Sequence, residues 1–260
     1  MKKLLMISVS ALALSAGAAF ADNSSTLNQN GDRNQATIDQ ALSGGATNNS
    51  TVYQGVNGNG NASTDGVADI GQIGGNGSIL NSSVQQNDSK QNAKVRQNGQ
   101  NGGQQTSNVT QSNLGNHADV TQTTQAGNDN QQSYITQTGK NGSATVNQSG
   151  HLDFSSISQT GNDNNPGAFV GTTTFGTVNG GVEVTQSGTA TNTSYVNQDS
   201  DSSGVKVNQD GLSGTNYSQI AQNAGGNNNT VYSSQSANGF SNTSFVTQSG
   251  TFNTAGIKQH

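Results

Sequence analysis

The sequence predicts an all-β fold: a β-solenoid, β-helix-like, of stacked two-strand coils whose layers pair as in cross-β. Three observations predict it. Gln recurs from Gln29, Gln40, Gln54 and Gln72 through Gln137, Gln148 and Gln159 to Gln248 and Gln259, most often eleven to fourteen residues after the last. A β-branched residue usually stands two places before it, as Ile38 before Gln40, Val146 before Gln148 and Ile257 before Gln259. Alternate residues of a strand share one face, so the aliphatic side chain and the amide point the same way. The third observation is composition: only 28% of 260 residues are hydrophobic and 9% are charged, against about a quarter charged in an ordinary domain. Such a chain lacks the carbon for an oily core, and composition alone suggests disorder. Disordered tracts have no reason to repeat one pattern in register, so the period decides for stacked repeats.

Taken in order, the chain opens with Met1-Lys2-Lys3, an apolar run from Leu4 to Leu14, and Ala19-Phe20-Ala21 before Asp22. Residues 1–21 are therefore expected to be a bacterial signal peptide with an A-x-A cleavage site, too short to span a membrane. The mature chain is expected to be secreted and to contain no membrane span. Residues 22–26 form a short leader, and 27–260 a repeat solenoid with a looser insertion around 160–181.

The first unit runs from Gln29 through Asn34 and Ile38 to Gln40, the last from Gln248 through Asn253 and Ile257 to Gln259, and both obey Q-x-G-x-x-N-x-A-x-[IV]-x-Q. Looser copies include Gln111 to Gln122, which keeps Asn116, and Gln137 to Gln148, which keeps Gly139. Gly and Asn bracket a tight turn where positive φ is cheap. Ala, Ile or Val, and Gln then line one face of a short strand. Two strand-turn units make a coil of roughly two dozen residues, and coils stacked at ~4.8 Å let amide bond to amide along the axis. The regularity loosens at Gly55–Asn61, an expanded turn, and between Gln159 and Gln186, where one rung reads as degenerate beside the single proline, Pro166. The stretch reads as a bulging loop beside an imperfect strand around Phe169 to Phe175. The best repeat matches lie at the two ends, where matching edges template addition of further copies.

These units resemble the curlin repeat of bacterial curli subunits across residues 27 to 260. The resemblance implies a secreted, extracellular functional amyloid at the bacterial surface, a fimbrial fibre that serves biofilm matrix, adhesion and aggregation. It further implies homopolymerisation, a nucleator or sister curlin subunit as partner, and export through an outer-membrane curli secretion channel. Curli subunits usually carry a Gly-rich leader, and Asp22 to Thr26 is shorter than that. The ladder residues it singles out are Gln29, Asn34, Ile38, Gln40, Gln137, Gln148, Gln248, Asn253, Ile257 and Gln259.

Other functions are poorly supplied. A formal net charge of −5, more negative without Lys2 and Lys3, gives nucleic acid no basic patch to bind. Cys is absent, Glu183 is the single Glu, and His117, His151 and His260 fall in different repeats. No catalytic residue, metal site or cofactor is expected, and the protein reads as a non-enzyme. The alternative is a monomeric β-solenoid adhesin or an ice- or carbohydrate-binding protein. Ice binding favours a regular Thr-x-Thr ladder, and Thr121 with Thr123 is an isolated case.

Overall fold

The computed structural model describes residues 22–55, 63–100, 102–124, 129–164, 169–173 and 176–260. The expected signal peptide, the tip of the expanded turn at 56–62, and Pro166 lie outside them. Every regular element among the described residues is a strand. The chain winds as a β-solenoid with two parallel sheets facing each other. One face stacks Asp22–Gln29, Thr47–Gln54, Ile79–Gln86, Gln104–Gln111, Asn130–Gln137, Leu152–Gln159 and Thr191–Gln198, followed by the C-terminal parts of Gly204–Gln222 and Thr230–Gln248. The other stacks Gln35–Leu42, Val67–Gly74, Asn92–Gly99, His117–Thr123, Ser143–Gln148 and Gly181–Gln186, then the N-terminal parts of the same two long strands, then Thr254–Gln259. The two 19-residue strands turn a corner without losing their pairing and so join the faces into one sheet.

Each strand pairs in parallel with the strand one coil away, and like falls on like: Val52 pairs with Val84, Ser50 with Ser82, Gln54 with Gln86. A single-residue slip would turn every buried side chain outward, so the alternation itself fixes the register. The centre of the coils is aliphatic, except where Ser233 takes the place of Ile or Val in the second-face part of Thr230–Gln248. Val52, Val84, Val109, Ile135, Ile157, Val196, Ile220 and Val246 on the first face meet Ile70, Val95, Val120, Val146, Val184 and Val207 on the second, all buried. Each contributes ~1.5–3 kcal/mol by leaving water.

The faces differ in sequence. The second carries the expected Ala-x-[Ile/Val]-x-Gln in six rungs, with Val182, Val205 and Val231 in the Ala place of the other three, whereas the first carries Ser-x-[Val/Ile]-x-Gln, as in Ser133-Tyr134-Ile135-Thr136-Gln137. The repeat is thus an alternation of two units, and each unit pairs with the next but one. The looser insertion also resolves differently from the expectation of a degenerate rung. No rung is lost: Gln159 bonds to Gln198 and Gln148 to Gln186, so both columns pass the insertion intact. Between Asn164 and Gly181, Phe169–Thr173 and Gly176–Asn179 pair with each other as a separate antiparallel two-stranded sheet.

Candidate self-assembly site: two amide columns and their ends

Two columns of buried glutamines run the length of the stack. On the first face each Nε2 donates to the Oε1 of the next coil, from Gln29 to Gln54 at 2.6 Å, Gln54 to Gln86 at 2.8 Å, Gln111 to Gln137 at 2.9 Å, and finally Gln222 to Gln248 at 3.0 Å. On the second face the column runs from Gln40 to Gln72 at 2.8 Å, through Gln122 to Gln148 at 2.8 Å, to Gln235 and Gln259 at 2.9 Å. The ladder residues expected from sequence therefore separate into two sets. Gln29, Gln137 and Gln248 share one column, Gln40, Gln148 and Gln259 the other, and Ile38 and Ile257 stand at the two ends of the aliphatic column beside it.

The second Nε2 hydrogen crosses to the opposite sheet, and it does so at a fixed place. First-face Gln54, Gln86, Gln111 and Gln137 donate to the carbonyls of Gln35, Val67, Asn92 and His117, each the residue before an Ala. Second-face Gln97, Gln122, Gln148 and Gln186 donate to Asn81, Thr106, Gln132 and Phe154, each the residue before a buried Ser. The two faces run in opposite directions across the coil, so an Ala or Ser sits opposite most of the glutamines, with Val182, Val205 and Val231 in the Ala place of three rungs. That is why Ala and Ser recur. Where Val takes the place of Ala the bond still forms in two rungs, from Gln222 to the Gly204 carbonyl at 3.4 Å beside Val205 and from Gln248 to the Thr230 carbonyl at 3.1 Å beside Val231. Sequence reasoning found the Ala positions and missed the serines. The signal was present as Ser two places before each first-face Val or Ile, but a serine reads as solvent-facing until its rung is paired.

The corners carry a third device. Asn116 Nδ2 donates to the carbonyls of Ser112 at 2.6 Å and Gly139 at 2.9 Å, while its Oδ1 accepts the Gly142 N–H at 2.8 Å. Asn34 does the same for the Gly66 N–H at 3.1 Å and Asn229 for the Asn253 N–H at 3.0 Å. Gly139 lies in a turn so tightly stacked that a Cβ would fall 1.9 Å from the Gly161 carbonyl oxygen, which excludes every other residue there.

One buried carboxyl interrupts an amide column. Asn242, Asn216 and Asn192 donate in series along the first face, and Asn192 Nδ2 ends on Asp153 Oδ1 at 2.9 Å, with the Gly150 N–H on Oδ2 at 2.7 Å. Burial pushes the Asp153 carboxyl up to about 6, against the pull of those two hydrogen bonds. His151 Nδ1 contacts the Asp129 carboxylate nearby. Among the described residues, no group of three or more His, Asp or Glu side chains converges to hold a metal ion.

The outer surfaces are unequal. Outward positions of the first face, from Thr47–Gln54 to the last rung, are Thr, Ser, Asn, Gln, aliphatic or aromatic, without a charged side chain. On it Tyr134, Phe154, Tyr195, Tyr217 and Phe245 form a zigzag over successive rungs, with ring centroids 5.2–5.9 Å apart. The second face holds the charges, Asp69 against Arg96 and Glu183 against Lys206 at 3.0 Å. Thr121 and Thr123 stand there between Arg96 with Asn98 and Asn147, so no threonine ladder forms.

The fold and site define a class: a parallel β-solenoid with two internal amide columns and a polar, glycine-cornered shell. Comparison with protein-family models, with characterised proteins and with solved structures found no match.

Proposed function

We propose that the protein is a secreted structural subunit that self-assembles into curli-like extracellular amyloid fibres, serving matrix, adhesion and aggregation at a bacterial surface. One observation carries the reading. The inward residues of the first coil, Ser25, Leu27 and Gln29 with Ala36, Ile38 and Gln40, repeat in the last as Ser244, Val246 and Gln248 with Ala255, Ile257 and Gln259. A second copy continues the stack by the same bonds that build it. The partner is the chain itself, with a nucleating or sister subunit and an outer-membrane channel following from the curlin resemblance. The test is polymerisation of the purified protein. Growth after a lag into unbranched fibres with a meridional reflection near ~4.8 Å is expected, and persistence as a monomer at high concentration removes the reading.

The adhesin reading has its own support in the aromatic zigzag on a charge-free face, a surface suited to sugar rings. Retention of the monomer on insoluble polysaccharide, lost when Tyr195 and Tyr217 become Ala, distinguishes it.

A further inference from the structure

Both glutamine columns are polar. In most rungs a bond from Nε2 to a backbone carbonyl of the opposite sheet fixes which end of the amide is nitrogen, and every ladder bond runs from the lower-numbered glutamine to the higher. At one end, Gln29 and Gln40 turn acceptor oxygens outward. At the other, Gln248 and Gln259 each spend one hydrogen on a carbonyl, of Thr230 and Thr243, and keep one for a further coil. Gln ends of the same kind cannot bond to each other.

Side chains between the columns add a second constraint. In the register that continues the stack, Ala255 lies over Ala36, Ile257 over Ile38 and Gln259 over Gln40. The residue between Ile and Gln is then Lys258 on one copy and Asp39 on the next, both on the outward surface of the second face. The same column holds Gly71 and Arg96 within the molecule. The corner agrees: Asn253 stands where Asn229 stands one coil earlier, its Oδ1 placed for the N–H of the next copy's Asn34.

We infer that copies join head to tail in this one register, the last coil of one molecule seated on the first coil of the next, with Lys258 paired to Asp39 across the junction. This rests on the fibre reading and deepens it, because it names the two surfaces, their polarity and their charge. Opposite charges in contact favour the junction, and like charges oppose it by a comparable amount at low salt.

Charge swapping tests it. Asp39→Lys sets Lys258 against a lysine in self-assembly, and Lys258→Asp sets Asp39 against an aspartate. Each variant alone is expected to elongate its own seeds on the order of tenfold more slowly than wild type at low ionic strength. An equimolar mixture presents only opposite charges at alternating junctions, so it recovers the wild-type rate, as does the double variant. The differences shrink at ~1 M salt, where the screening length is ~3 Å. Circular dichroism of each dilute variant checks that the coil is formed. If wild type elongates while both single variants match it, or if mixing them brings no gain, the junction is wrong and the fibre reading stands. If wild type itself never elongates, both fall.

Discussion

At the residue scale, position is chosen by size before chemistry. Ser107, Ser133, Ser155 and Ser194 are buried, yet their hydroxyls have no hydrogen-bond partner. In every first-face rung the site takes a Ser beside the carbonyl that the glutamine amide of the other face reaches. Ser133→Ala is therefore expected to be neutral or up to about 1 kcal/mol stabilising, and Ser133→Val to cost about 1–3 kcal/mol by overpacking; denaturant titration of the dilute protein measures both. Asp153 is the opposite case, where chemistry matters. Below pH ~3.8 its carboxyl is neutral folded and unfolded. Between there and about 6 the unfolded chain has released the proton and the folded chain has kept it, so stability falls as pH rises through that window and levels above it. The fall is about 3 kcal/mol. Asp153→Asn is expected to remove that part of the pH dependence, read as the difference in denaturation midpoint from wild type across the window. A wild type that gains stability relative to the variant between those limits contradicts the assignment.

At the scale of the strand and corner, the fold persists because the glutamine of each inner rung ties it along the stack, and in most rungs also across the coil. Asn116→Ala removes three hydrogen bonds at a buried corner and strands the Gly142 N–H and Gly139 carbonyl, a loss of about 2–4 kcal/mol. The same change at Asn113, an exposed-side neighbour in the same turn, costs less; equal losses would show that the corner clip is unimportant. Much of this was legible in the sequence. The glutamine period, the aliphatic residue two places before it, and the Asn of the corner are local patterns, and local patterns survive without knowing what lies across the coil. The rest depends on contacts between coils. Ser155, which is buried, differs from Ser156, which faces out on the next position, only in standing two places before Ile157, and that spacing gains meaning once the strand across the coil is known. Tyr134 and Tyr195 share one register position and Phe154 stands two residues earlier on the rung between them, so the three become a column only when rungs are superimposed. The interval from Gln159 to Gln186 reads as a bulging loop with one degenerate rung because it is long; both columns nevertheless pass it intact, and inserted length is cheap because the cost of loop closure grows only logarithmically.

For the whole molecule, stability and growth use the same bonds at different places, so substitutions can separate them. Gln111, Gln122, Gln137 and Gln148 are buried with neighbours above and below. Replacing one by Ala strands two ladder partners and a carbonyl, and it weakens the coil before any assembly begins. Gln29 and Gln40, and Gln259 at the far end, have a ladder partner on one side only within the chain, and the strands that carry them are largely open to solvent. Ala at Gln29, Asn34, Gln40, Gln248, Asn253 and Gln259 is therefore expected to leave the denaturation midpoint closer to wild type than Ala at Gln111, Asn116, Gln122, Gln137, Gln148 and Gln159. Seeded elongation by the end set is nevertheless expected to be the slower, because an incoming copy meets those side chains first. Measuring both quantities on both sets is the decisive comparison: if elongation simply tracks the stability of the coil, growth is limited by folding, and the exposed end rungs have no templating role of their own.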